Sequence, residues 1–183
     1  MFLKFAEGLD LFDMKVMRQF KFRAHKISKK IHLSFNELMP LYSFDFEVGY
    51  QKRVRDLFCF GCFTGLRYKD LNSLTREQVI DIEGQRVIRL VDHKTRSHLI
   101  VPLNEYALSI LQRYDYQLPH YSNQVFNRYI KEVCEKAGID TAVEKVAFVG
   151  TQRINKVLKK SELVTCHTAR RTFITLDKMM GTC

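Results

Sequence analysis

The sequence contains no apolar run longer than the seven residues from Leu57 to Phe63, far short of the roughly 20 needed to span a bilayer. Its first residues show no cationic stretch followed by an apolar one, so no secretory signal is visible. Five cysteines, an odd number, build no disulfide framework and fit a reducing cytoplasm. There is no Gly-rich phosphate loop ending in Lys-Ser/Thr, no Gly-x-Ser-x-Gly elbow and no His-Glu-x-x-His zinc helix. Acidic residues do not cluster as a two-metal nuclease requires, although carboxylates can gather from distant positions. No metal site and no cofactor is therefore expected. What remains is a chain of 183 residues, 46% apolar and 27% charged, the size and composition of one ordered globular domain, or of one domain plus a fragment of another.

The excess of one charge is the first positive signal. Thirty Lys and Arg oppose twenty Asp and Glu, a net of +10, which points to polyanions and most often to nucleic acid. The excess lies at the two ends. Residues 1–33 carry eight basic and three acidic side chains, residues 151–183 seven and two, and the stretch between them fifteen of each. The densest part holds Lys15, Arg18, Lys21, Arg23, Lys26, Lys29 and Lys30, with no acid between Asp13 and Glu37. Interleaved with Phe20 and Phe22, it reads as an arm that tracks phosphates, with Lys26, Lys29 and Lys30 as DNA contacts. Cys59 and Cys62 form a Cys-x-x-Cys, but their neighbours Phe58, Phe60 and Phe63 place them on a core helix rather than in a metal site.

The periodicity predicts a mostly helical domain with one small antiparallel sheet. Phe2 to Met17 has helical spacing broken by Gly8. Ser34 and Glu37 have the form of a capping box, where the main domain begins. A helix is expected from Gln51 to Phe63, ended by Thr64-Gly65, with Leu66 to Leu71 starting another turn. Val79–Glu83, Val87–Val91 and His98–Pro102 read as three tandem strands, with Gly84 in the first turn and Asp92 to Ser97 as the second loop. Asn104 and Ser122 each cap a further helix, the second stopped by Gly138. Val143 to Val149 suggests a strand, and Thr168 to Met180 a last helix with Phe173, Leu176 and Met180 inward.

Three places could carry chemistry. Arg67 follows a glycine turn, with Asp70 three residues on to orient it. Lys94 lies in the loop of a hairpin, where a flexible cation can reach a ligand. His167 and Arg170 share one face at a helix start, which already favours anions, and Arg171 adds charge there. Taken singly each has an ordinary alternative: an ion pair, an exposed lysine, a capped helix end.

Together they are more specific. Gly65-Leu66-Arg67-x-x-Asp70-Leu71, the hairpin Lys94-Thr95 and His167-x-x-Arg170, in that order with strands between the first two, resemble the tyrosine recombinase (phage integrase) family. The segments from Cys62 to Arg67 and from Cys166 to Phe173 look closest to integrases of Bacteroides-type mobile elements. The resemblance covers about residues 34–183. It implies an α+β fold, mostly helical with a small three-stranded antiparallel sheet. Residues 1–33 would be the end of a core-binding domain and its linker, and residues 34–183 a catalytic domain incomplete at its C-terminus. It further implies that Arg67 and Arg170 hold the nonbridging oxygens of the scissile phosphate. Lys94 would protonate the leaving 5′ oxygen, and His167 would position the phosphate and assist proton transfer. The implied partners are double-stranded DNA and other recombinase protomers, assembled as a tetramer on DNA.

One part of the pattern is missing. The family's nucleophile is a tyrosine beyond the His-x-x-Arg motif, yet every tyrosine of this sequence, from Tyr42 to Tyr129, precedes His167. The sequence ends thirteen residues after Arg170. The expectation is thus a recombinase fragment that does not cleave DNA alone, the alternative being a non-catalytic DNA-binding remnant that occupies or regulates recombination sites.

Overall fold

The computed structural model describes residues 30–91, 98–149 and 152–180. The expected helix at 2–17, the arm residues Lys26 and Lys29, and the 92–97 loop with Lys94 lie outside these residues. No helix among those described is long and apolar enough to cross a membrane.

Helix α1 (Phe35–Ser43) starts after Ser34, where the capping box predicts a helix. The Ser34 N–H donates to Glu37 Oε2 at 2.7 Å, and Lys160 Nζ reaches the same oxygen at 2.6 Å. Burial raises the Glu37 pKa, but the hydrogen bonds from Lys160 and Ser34 outweigh it and leave the carboxyl below its ordinary value. This pair ties the entry of the first helix to a segment over a hundred residues later.

Helix α2 (Gly49–Thr64) is the axis of the core: every residue from Val54 to Thr64 is buried. A helix covered all round needs neighbours on every side. These are α1, α4 (Glu105–Arg113), α5 (Asn123–Lys136) and α7 (Cys166–Met180). Tyr42, Phe63 and Tyr106 pack their rings together at the joint of α1, α2 and α4. Two charged side chains share this interior. Asp56 is fully buried, and its carboxylate accepts from Arg55 Nε at 2.8 Å, Arg113 Nη1 at 2.8 Å and the Tyr114 hydroxyl at 2.7 Å. A buried carboxylate is tolerable only when donors replace its water. Three donors do so here, and they lock α2 to the end of α4.

After the short helix α3 (Tyr68–Asn72) and a 3₁₀ turn, β1 (Val79–Ile82), β2 (Gln85–Val91) and β3 (His98–Pro102) form an antiparallel meander in that order. Glu83 and Gly84 join the first two strands, both at positive φ (52° and 80°), which matches the right-handed twist of a two-residue hairpin. Val79, Ile88 and Val101 align across the three strands and form the row that meets the core. Asn104 and Ser122 cap α4 and α5 as expected, each accepting a backbone N–H.

Two expectations need correction. The chain has a second sheet, a hairpin of β4 (Ala142–Val149) and β5 (Gln152–Lys159) leading into the single turn α6 (Lys160–Leu163). Only its first strand was legible, because the apolar residues of β5 (Ile154, Val157, Leu158) do not alternate. The last helix starts two residues earlier than predicted and buries Cys166, Thr168, Ala169 and Thr172, with Phe173 and Leu176 only half-buried. The Met180 side chain lies outside the description. Small residues face inward because the crossing is close: a methyl added at Gly61 would come within 3.1 Å of the Ala169 Cβ. The buried threonines cost little, since Thr172 Oγ1 donates to the Thr168 carbonyl and accepts from the Leu33 N–H, both at 2.9 Å.

Candidate active site

The end of α2 sets the geometry. Gly65 caps the helix at φ +65°, a conformation that costs other residues about 1–2 kcal/mol. Leu66 turns inward, and the exposed Arg67 stands in extended backbone as the residue before α3. The helix starts at Tyr68, two residues later than the expected start at Leu66. Arg67 therefore sits on a rigid turn between a buried helix and a short one.

The last helix brings the second arginine to this turn. Phe173 lies so close over Gly65 that a Cβ there would fall 2.4 Å from the ring. From the same helix, Arg170 Nη1 donates to the Gly65 carbonyl oxygen, two residues before Arg67. The structure thus joins the first and third sequence motifs, 105 residues apart. His167 is exposed one turn before Arg170, on the same helix face. Arg171 is half-buried, and Lys30 is exposed at the start of the described chain.

The N-terminus of α7 is held by contacts that sequence reasoning missed. The Cys166 N–H donates to Asn127 Oδ1 at 2.7 Å, and Asn127 Nδ2 donates to Asn123 Oδ1 at 2.6 Å. Thr168 Oγ1 accepts the Thr165 N–H at 3.0 Å. These bonds fix the helix start from which His167 and Arg170 project. The available signal was the pair of asparagines four apart in the first turns of α5, neighbours on one helix face.

Tyr68, beside Arg67, is a prop for α3. Its hydroxyl donates to the Tyr121 carbonyl at 2.9 Å, where Asn72 Nδ2 also donates at 3.1 Å. Burial raises its pKa above the ordinary phenol value. Cys59 and Cys62 are buried in the core as expected, and desolvation pushes both thiols well up. Among the described residues no group of three or more His, Cys, Asp or Glu could hold a metal ion.

Lys94 falls in the segment outside the description. The strands that flank it pair Val91 with His98, and both residues line an open cavity of about 310 Å³. Its other walls include Arg89, Asp70 of α3, and Ser73 just after that helix. The hairpin end that leads to the second motif and the short helix that Arg67 caps therefore share one concavity.

No protein-family model and no curated protein matches the chain. Solved structures do. The XerH site-specific recombinase bound to a palindromic difH substrate, in a post-cleavage complex, superposes with a TM-score of 0.56 at 15% identity. That match covers 90% of this chain and 47% of the other. The XerA recombinase gives 0.56 at 20% identity, over 97% and 58%. The Tn1549 transposon integrase, in complex with circular intermediate DNA, gives 0.54 at 16%, over 94% and 58%. The chain spans about half the length of these structures. At such identities the likeness establishes the fold, which is that of a tyrosine-recombinase catalytic domain.

Proposed function

We propose that the chain is the electrostatic part of a DNA breaking-and-rejoining centre, belonging to a tyrosine recombinase that carries out site-specific recombination or integration for a mobile element. The observation that carries this reading is the meeting of the Arg67 turn with Arg170. A phosphodiester under attack gathers negative charge on its nonbridging oxygens, and two guanidiniums offer planar paired donors to stabilise it. In this role Arg67 and Arg170 hold the phosphate, and His167 positions it.

The reaction balances without further reactants. A tyrosine hydroxyl attacks phosphorus and passes its proton to His167 as the 3′-phosphotyrosyl bond forms, the bond to the 5′ oxygen breaks, and Lys94 gives that oxygen a proton. The family pattern places the nucleophile after the His-x-x-Arg motif, and no tyrosine of this sequence follows His167. The duplex partner is drawn along the basic arm at Lys26, Lys29 and Lys30 and by Arg171, with further protomers assembling on the same DNA.

A second reading is a non-catalytic DNA-binding remnant that occupies recombination sites. A nicked suicide duplex carrying the element's own ends separates the two. The chain alone should give no covalent band after denaturation. The chain extended by the residues encoded after Cys183 should give one if it belongs to a recombinase, and none if it is a remnant. A covalent adduct with the chain alone would refute both assignments of the nucleophile.

A further inference from the structure

We infer that the β4–β5 ribbon is a second DNA-contacting surface, separate from the arginine site, which grips the phosphate backbone of the duplex through Lys145 and Lys156. The inference rests on the recombinase reading for its partner and on the ribbon's own geometry for its location. Strand register makes Lys145 and Lys156 direct partners, so the two side chains stand opposite each other on one face. Directly opposed residues have Cβ atoms about 5 Å apart, and like charges in that arrangement destabilise a strand pair.

Among the described residues nothing relieves the repulsion. Both lysines are exposed, and no ion pair or hydrogen bond to a described residue offsets either charge. The ribbon's one acid, Glu144, pairs with Val157 and so faces the other way. By contrast, the neighbouring Lys159 and Lys160 are matched to Glu135 and Glu37. The two unmatched lysines sit two pairs farther out than Val143 and Leu158, the half-buried pair near the root of the ribbon.

A two-stranded ribbon is marginal by itself and gains nothing from opposed cations. With eight residues per strand it extends about 26 Å. A duplex accounts for both features. Its phosphates supply the missing countercharge, its major groove admits a two-stranded ribbon, and flexible lysine stems let each ammonium find its own phosphate.

The test uses a 30-base-pair duplex, with affinity measured by fluorescence anisotropy over a range of salt concentrations. In Lys145→Gln/Lys156→Gln the slope of log affinity against log salt should be shallower by about 1.8, from 0.9 per phosphate contact. At 0.1 M salt that is roughly 60-fold weaker binding if affinities converge at 1 M. Lys156→Glu separates binding from folding. It places an acid opposite Lys145, so the thermal midpoint should hold or rise while the slope still falls by about 0.9 or more.

If the unaltered chain shows no salt-dependent duplex binding, the recombinase reading fails and this inference with it. If the unaltered chain binds and both variants keep its slope, only the inference fails. A variant that alters self-association at an unchanged slope assigns the ribbon to a second copy of the chain and overturns it equally.

Discussion

Gly65→Ala tests whether the α2–α7 contact builds the site. The residue has φ +65°, and a new Cβ would lie 2.4, 2.8 and 2.9 Å from three atoms of the Phe173 ring. The backbone term is about 1–2 kcal/mol. Overpacking against a ring costs about 1–3 kcal/mol more, because Phe173 must move and carry α7 with it. The expected loss is then about 2–5 kcal/mol. Gly84→Ala provides the control: φ is +80° there, but nothing lies within 4 Å of the new methyl, so only the backbone term applies. The difference of about 1–3 kcal/mol is readable in urea denaturation, or as a gap in melting temperature of about 2–4 °C per kcal/mol for a domain of this size. Phe173→Leu should partly rescue Gly65→Ala and do nothing for Gly84→Ala. Equal losses at the two glycines, or no rescue, would refute the packing that brings Arg170 to the Gly65 turn.

Other consequences can be measured on the same protein. Tyr114→Phe should cost about 1.5–3 kcal/mol, the value of a hydrogen bond to a charged group, since it deprives Asp56 of one of three donors. Burial first, and then the Asp56 carboxylate, raise the Tyr114 pKa above its ordinary value of 10.0. The folded state therefore keeps a proton that the unfolded state releases. Stability should fall as pH climbs above about 10, less steeply in Tyr114→Phe, as followed by denaturation at fixed temperature. Cys59, Cys62 and Cys134 should resist a thiol reagent at pH 8 in the native protein and react fully in urea, since burial raises all three. Asn127→Ala should weaken duplex binding while leaving Arg67 and Arg170 intact, because it frees the start of α7; unchanged affinity would remove the positioning role.

Residues carrying strong local signals were legible in the sequence. Ser34, Asn104, Ser122 and Gly138 mark helix ends through their own backbone chemistry, and the structure places each where that chemistry predicts. The meander was legible because β-branched runs flank a turn that tolerates two positive φ angles. Long-range polar contacts were not. Asp56 reads as an ordinary charge in an apolar stretch, and its donor Arg113 is 57 residues away. The inward face of α7 was misjudged because hydrophobicity favours Phe173, whereas the close crossing at Gly61 selects Ala169 and two threonines. The motifs named Arg67, His167 and Arg170, but only the fold shows that Gly65 links the first to the last.

The central claim is that Arg67 and Arg170 act on one phosphate, and a charge-removal cycle read through salt dependence tests it most directly. Duplex affinity would be measured against salt for the unaltered chain, Arg67→Gln, Arg170→Gln and the double variant. Two guanidiniums on a single phosphate displace the counterions of one site, so the double variant should lower the log–log slope by about 0.9, with each single variant losing less. A loss of about 1.8 in the double variant, divided equally between the singles, would put the two arginines on separate phosphates and contradict the account.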